Sequence, residues 1–240
     1  AIKNDSFEML YQPQYEINSH KLIGFESLIR LKNKKGEYID TQQFINIAEK
    51  SGLICEVDMW VMHNVMKQMK DFVTLYPDIE VSINVSGKHI TNKGFVEKVV
   101  DSLSETGFPP KNLKIEITES SYIRYIDEAA QVIKRLKVLG IKTALDDFGT
   151  GFSSLNYLSK MPVDMLKIDK SFVDKMLIKE NDRSFVDTII KLGHIMGCKV
   201  IAEGVEDHAQ LYALASLNCD FVQGYIWGKP TKLDDLSKCL

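Results

Sequence analysis

The chain has 240 residues, 45% of them hydrophobic and 26% charged, and a formal net charge of −3. That length holds a full core, and α/β barrels commonly fill it as one domain. The near-neutral balance excludes a broad basic face for duplex nucleic acid, and no apolar run approaches the roughly 18 residues of a membrane span.

The first strand-like runs are FEMLYQ from Phe7 and LIGFESLI from Leu22. No helical pattern separates them, so they read as a hairpin, with one strand antiparallel to its neighbour. Over 57–76, apolar residues recur at Val61, Val65, Met69 and Phe72, with Lys67, Lys70 and Asp71 between them. That is a helical period. Met59, Met62, Met66 and Met69 fall on the same spacing and read as core filler, the alternative being a soft binding face. Further strand-like runs follow: VSINV near Val81, LKIEIT near Leu113, KTALDD near Lys142, DMLKID near Met165, KVIAEG near Lys199 and FVQGY near Phe221. Helical patterns cover 126–139 and 183–196. Gly140 and Gly197 close helical runs directly before strands, as helix C-terminal glycines do.

Alternation repeated this often predicts a parallel sheet closed into a TIM-like (β/α)8 barrel, with one antiparallel strand near the N-terminus and a single domain over 1–240. The chain opens on Ala1 rather than Met and shows no signal peptide, which reads as a domain cut from a longer protein. Cys55, Cys198, Cys219 and Cys239 form no C-x-x-C pair, so they read as free thiols of a reducing, cytoplasmic compartment.

Chemistry in such barrels gathers at the C-terminal ends of the strands. Glu26, Asn84, Glu116, Asp146, Asp147 and Glu203 stand toward the ends of apolar runs, as does Lys167. Carboxylates are costly to bury uncompensated, and several converging ones call for divalent cations. Their hard oxygen donors suit Mg²⁺ or Mn²⁺ rather than zinc or copper. His20, His63, His89, His194 and His208 stand at no strand end and read as surface or core residues.

Asp146-Asp147 is the most specific pair. Neighbours on a regular strand face opposite sides, so both reach one site only if the backbone leaves strand geometry. Phe148-Gly149-Thr150-Gly151 permits that departure, and the pair could then bridge two metals about 4 Å apart. The plain alternative is an acidic turn before a helix capped by Ser153 or Ser154. Lys167 and Asp169, two apart, can share one strand face; the alternative for the lysine is a structural ion pair. Glu206 follows Glu203 across a glycine turn and could equally be an exposed first-turn residue. Glu119, three after Glu116, could fasten a neighbouring loop or simply be solvated.

Taken in order, YQP, FESLIR, INVS, IEITES, ALDDFGTGFSSLNYL, LKID, AEGVE and VQGY resemble the EAL domain family, the bacterial cyclic di-GMP phosphodiesterases. The resemblance runs from about Tyr11 to Pro230. It implies hydrolysis of cyclic di-GMP to linear pGpG with Mg²⁺ or Mn²⁺, two ions per site. Glu26, Asn84, Glu116 and Asp146 match ligands of a first metal; Asp146, Asp147 and Glu203 match the surroundings of a second. Lys167 matches the lysine that positions the hydrolytic water, Glu203 also a residue cast as general base in a one-metal mechanism, and Glu119 a glutamate supporting the DDFGTG loop. Gln12, Arg30 and Gln223 match residues near the nucleotide, with Asp169 and Glu206 one layer behind. The resemblance also implies a homodimer through the region after Asp147 and a linked sensory or GGDEF domain.

The chain departs from the family pattern at Ser27, where alanine is usual, and at Leu31, where an aromatic often stands. The rival readings are a non-catalytic cyclic di-GMP receptor, a protein-interaction module on the same fold, and an enolase-like barrel. The first two predict lost metal ligands, and the third leaves Asp146-Asp147 unexplained.

Overall fold

A computed structural model describes residues 6–118, 126–149 and 161–240. Its elements run β1 (Phe7–Glu16), β2 (Leu22–Lys32), β3 (Tyr38–Ile39), α1 (Thr41–Ser51), α2 (Ile54–Leu75), β4 (Glu80–Val85), α3 (Gly87–Ile90), α4 (Phe95–Thr106) and β5 (Leu113–Thr118). They continue with α5 (Ile126–Val138), β6 (Lys142–Phe148), β7 (Met165–Ile168), α6 (Lys170–Val173), α7 (Glu180–Ile195), β8 (Lys199–Ala202), α8 (His208–Ser216) and β9 (Phe221–Gln223). Glu119 and residues 150–160, which carry the expected loop support and most of the expected dimer region, lie outside the described residues.

The sheet order is β1-β9-β8-β7-β6-β5-β4-β2, closed by pairing of β1 with β2, and β3 hangs on the outer side of β2. β1 is antiparallel to both its neighbours, whereas β2 and β4 through β9 pair in parallel. The expected barrel with one reversed strand is therefore the observed one. The seam joins distant parts of the chain, with Gln14, Tyr15 and Glu16 opposite Gln223, Val222 and Phe221.

The parallel strands are buried on both faces, yet β4 (EVSINV) and β5 (LKIEIT) alternate apolar and polar residues, because only the face under the helices is apolar. One face lies under the helices: Val81, Ile83, Ile115, Ile117, Leu166, Ile168 and Val200 join Val61, Met62, Val65, Met66 and Met69 of α2 in a single apolar cluster. The methionines at helical spacing are thus core, with Met59 partly buried beside them. The other face lines the barrel. There Ala144, Met165 and Ile201 form a separate small apolar group with Phe221. Polar residues occupy the rest of the interior, including Gln14, Ser82, Lys114, Glu116 and Lys167, all buried. Lys114 is paired with Glu80 at 3.1 Å, and Glu80 also binds Lys142.

Glu26 does not sit where its strand ends. It is opposite Gln12 and Ser82 in the middle of β2, which runs on to Lys32. The β1–β2 hairpin pairs on to Phe7 and Leu31, so β2 outlasts the parallel ladder that it shares with β4. Ser27, the departure from alanine, faces away from Glu26 and donates its hydroxyl to the Ser82 carbonyl at 2.6 Å, tying β2 to β4.

The segments after β8 and β9 close against each other. Val205 N–H donates to the Gln223 carbonyl at 3.1 Å, and Ile226 N–H to the Val205 carbonyl at 3.2 Å. A Cβ on Gly224 would lie 2.0 Å from the Val205 carbonyl oxygen, so only glycine fits. Gly204 has φ +68, and a Cβ there would meet the Lys170 stem at 2.3 Å. Gly224→Ala should destabilise the fold by about 1–3 kcal/mol, the usual cost of overpacking. Urea unfolding should show the drop; an unchanged midpoint would mean that the two segments do not close as described.

Candidate metal centre

Inside the barrel the polar side chains converge on one ammonium group. Lys167 lies 3.2 Å from Asp146 Oδ1, 3.5 Å from Glu26 Oε1 and 2.6 Å from Glu203 Oε1, and it also binds Glu116 Oε2. The strands explain the convergence. Glu116, Asp146 and Lys167 are inward residues on consecutive strands, and Glu203 stands just past the end of β8. Lys167 is 1% exposed and Glu116 fully buried.

The amides fix the carboxylates. Gln223 Nε2 donates to Glu26 Oε2 at 2.6 Å and to Gln12 Oε1 at 3.1 Å, and Asn84 Nδ2 donates to Glu26 Oε1 at 2.8 Å. Gln14 extends the chain by donating to Gln223 Oε1 at 2.8 Å. Gln12 and Gln223 are therefore deep supports of Glu26 in this arrangement. The two-residue step from Gln12 to Gln14 in YQPQY, which places both on one strand face, is the sequence signal for Gln14. The same step from Lys114 to Glu116 marks Lys114.

Asp146 and Asp147 occupy an irregularity: the β6–β7 register shifts between Leu145 and Phe148. Asp147 takes φ +56, a left-handed conformation, and its N–H donates to Asp146 Oδ1 at 2.9 Å. Aspartate is among the few non-glycine residues that tolerate this region. The backbone thus leaves strand geometry at Asp147 itself, one step before the glycine-bearing run expected to provide it.

The peripheral residues are engaged locally. Asp169 caps α6 by accepting from Ser171 N–H at 3.0 Å. Glu206 is exposed and pairs with Lys170 at 2.7 Å. Arg30 donates to the neighbouring Ile29 carbonyl at 2.9 Å, two residues before the end of β2.

Electrostatics divide the acids. Burial pushes the Glu116 carboxyl up to about 7, and the charges of Glu26 and Asp146 add to it while Lys167 opposes. Burial, with the charges of Asp146 and Asp169, raises Asp147 to about 6. Burial also holds Glu203 well above the ordinary carboxylate range. For Glu26 burial acts upward too, but the Lys167 charge and the Gln223 and Asn84 donors outweigh it and hold this carboxyl below its ordinary value. Burial opposes the Lys167 charge, yet Asp146, Glu116, Glu203 and Glu26 keep it well above its usual range.

This donor set fits a divalent cation. Glu26, Glu116 and Asp146 each offer an oxygen, and these atoms all lie within 4.8 Å of one another. Glu116 Oε1 is buried without a hydrogen-bond partner, a costly state that a cation would relieve. All the donors are hard oxygens, with the Asn84 amide beside them, as Mg²⁺ and Mn²⁺ prefer.

Comparison with known proteins agrees with this geometry. A family model described as the EAL domain matches residues 1–230. The chain is 37% identical over 230 residues to the signaling protein YkoW of Bacillus subtilis, covering 96% of this chain and 29% of that protein. It is 32% identical over 237 residues to the bifunctional diguanylate cyclase/cyclic di-GMP phosphodiesterase MucR of Pseudomonas aeruginosa, covering 98% of this chain and 35% of that protein. The chain thus spans about a third of the length of these relatives. Among solved structures, the MucR phosphodiesterase in complex with c-di-GMP superposes with a TM-score of 0.93 at 32% identity, covering 98% of this chain and 96% of that one. The FimX EAL domain from Pseudomonas aeruginosa, bound to c-di-GMP, superposes with a TM-score of 0.87 at 26% identity, covering 96% and 93%.

The raised carboxyls set a pH dependence. In the metal-free protein, protons occupy Asp147 below about 6 and Glu116 below about 7, so a cation must displace them. Mn²⁺ affinity should rise between pH 6 and 8, with proton release on binding, in calorimetry across buffers of different ionisation enthalpy. The same groups stabilise the metal-free fold fully below their unfolded values, 4.5 for Glu116 and 3.8 for Asp147, and that contribution is lost as pH rises through about 7 and 6 respectively. Mn²⁺ should therefore raise the melting temperature more at pH 8 than at pH 6. A gain independent of pH would place binding elsewhere.

Proposed function

Because the chain belongs to the EAL domain family, we propose that it hydrolyses cyclic di-GMP to linear pGpG, with Mg²⁺ or Mn²⁺ held at the acidic centre of the barrel. The observation that carries this reading is the convergence of Glu26, Glu116 and Asp146 within 4.8 Å, with one Glu116 oxygen unpartnered. On this reading Glu26, Asn84, Glu116 and Asp146 hold one ion, and Asp146, Asp147 and Glu203 a second. Bound there, divalent cations would offset phosphate charge and acidify water.

The remaining work falls to the protein's own groups. Lys167 stays protonated among its carboxylates, so it is a fixed donor to the attacking water and to charge that develops at phosphorus. With a single ion bound, Glu203 would be free to accept the water proton, since burial raises its basicity; with two, it would hold the second ion instead. The water oxygen forms the new bond to phosphorus while the bond to the 3′ oxygen breaks, and the departing 3′ oxygen takes a proton. Gln12, Gln223 and Asn84 keep Glu26 oriented throughout. Arg30, Asp169 and Glu206 lie outside this centre and belong to the handling of the nucleotide. A non-catalytic receptor on this fold is disfavoured, because every acid expected of the hydrolytic set is present.

The test is incubation of the purified chain with cyclic di-GMP and Mg²⁺ or Mn²⁺, with products resolved by chromatography. A pGpG peak that EDTA abolishes and either metal restores is the expected result; intact cyclic di-GMP under all conditions would reject the reading.

Individual residues should separate binding from chemistry. Asp146→Ala and Glu26→Ala should cut turnover by at least about 10²-fold with the fold retained by circular dichroism. Lys167→Ala should lower kcat by a similar factor with less effect on cyclic di-GMP affinity, measured without turnover in Ca²⁺. Wild-type kcat in Lys167→Ala would remove the lysine from the mechanism.

A further inference from the structure

A buried polar cluster outside the acidic centre has no part in the reaction above. Asp58, near the start of α2, is 6% exposed. Its Oδ2 accepts from Ser86 N–H at 3.0 Å and from the Ser86 hydroxyl at 2.8 Å, and it faces His89 Nδ1 at 3.2 Å. His89 is itself 1% exposed and packs edge-on against Phe95, with ring centroids 4.9 Å apart. Burying a carboxylate in an otherwise apolar helix contact is expensive, and an apolar side chain there would commonly be at least as stable.

The location gives the cluster a purpose. Ser86 is the first residue after β4 and occupies the cap position of α3, but its hydroxyl makes no capping bond because it turns to Asp58. Its carbonyl accepts from His89 N–H at 2.9 Å, so Asp58 holds both ends of the α3 turn, one through Ser86 and one through the imidazole. Two residues before Ser86 stands Asn84, whose amide nitrogen is engaged by Glu26 at 2.8 Å. The backbone between the two is a single buried residue, Val85. Asn84 pairs opposite Glu116 in the β4–β5 ladder, and Ser86 anchors the chain two residues beyond it.

We propose that Asp58 is a positioning residue for the metal centre: by clamping Ser86 and His89 it fixes where Asn84 presents its amide oxygen beside Glu26. This rests on the reading of the acidic centre as a divalent-cation site. Partners that orient metal ligands typically alter affinity by about 10- to 100-fold when removed. A residue that served stability alone would lower the melting temperature and leave cation affinity untouched.

The test titrates Mn²⁺ alone into the metal-free chain by calorimetry, with melting temperature recorded in parallel. Asp58→Ala should weaken Mn²⁺ binding about 10-fold, at the low end of that range, and Asp58→Asn, which keeps an acceptor for Ser86, by no more than about 3-fold. Asp58→Ala combined with Asn84→Ala should bind no more weakly than Asn84→Ala, because the clamp acts only through that side chain. Wild-type affinity in Asp58→Ala, or losses that multiply in the double variant, would overturn the proposal. If Asp58→Ala does not fold, Ser86→Ala takes its place: a loss of about 3-fold supports the clamp and an unchanged affinity rejects it. Wild-type protein that binds Mn²⁺ but leaves cyclic di-GMP intact would reject the proposed reaction and not the clamp. Wild-type protein that binds no Mn²⁺ would reject both.

Discussion

A single buried ammonium group, Lys167, holds together carboxylates from several strands that would otherwise repel one another. Its surroundings can be understood as conditions for that balance. The amides of Gln223 and Asn84 satisfy Glu26, and Gln14 and Gln12 satisfy Gln223 in turn. Lys114, paired with Glu80, lies beneath and lends Glu116 a further positive charge. An interior of this kind contributes little to stability, since desolvation offsets most of the attraction between charges. The fold rests instead on the outer apolar layer, where α2 and its neighbours cover the outward faces of the strands. Binding chemistry and folding energy therefore occupy opposite faces of the same strands.

That division explains what the sequence disclosed. Each strand of the barrel was legible because its outward residues are continuously apolar, and the site acids stood out as the exceptions on the inward face. The antiparallel start was legible from the missing helix between two early runs. β3 was not, because Tyr38–Ile39 is too short to establish a period. Nor was α8, which is apolar nearly all round, so the stripe that marks a surface helix is erased.

At the site, residue types were legible and commitments were not. That Asp146 and Asp147 share a locale was read from the need to break strand geometry, but the break at Asp147 appears only as φ +56. The amides Gln12 and Gln223 match nucleotide contacts by family resemblance; in the structure Gln223 donates to Glu26 and to Gln12, and Gln12 donates to the Gly228 carbonyl. Asp58 and His89 lie 31 positions apart in sequence and announce no motif. Their relation depends on how α2 packs across the end of β4, and spacing along the chain does not encode that.

The seam between β1 and β9 has a consequence in time. The bond from Gln223 to Glu26 spans 197 residues, and that from Gln14 to Gln223 spans 209. Contacts of such separation form late, since the loop-closure cost must be met before they contribute. During synthesis the early hairpin emerges long before the strand that completes the ring. Until then Glu26 lacks its Gln223 donor, and the inward carboxylates face an open-sided sheet. The acidic centre is thus a property of the finished ring, and a nascent chain that has not reached Gln223 has no complete centre.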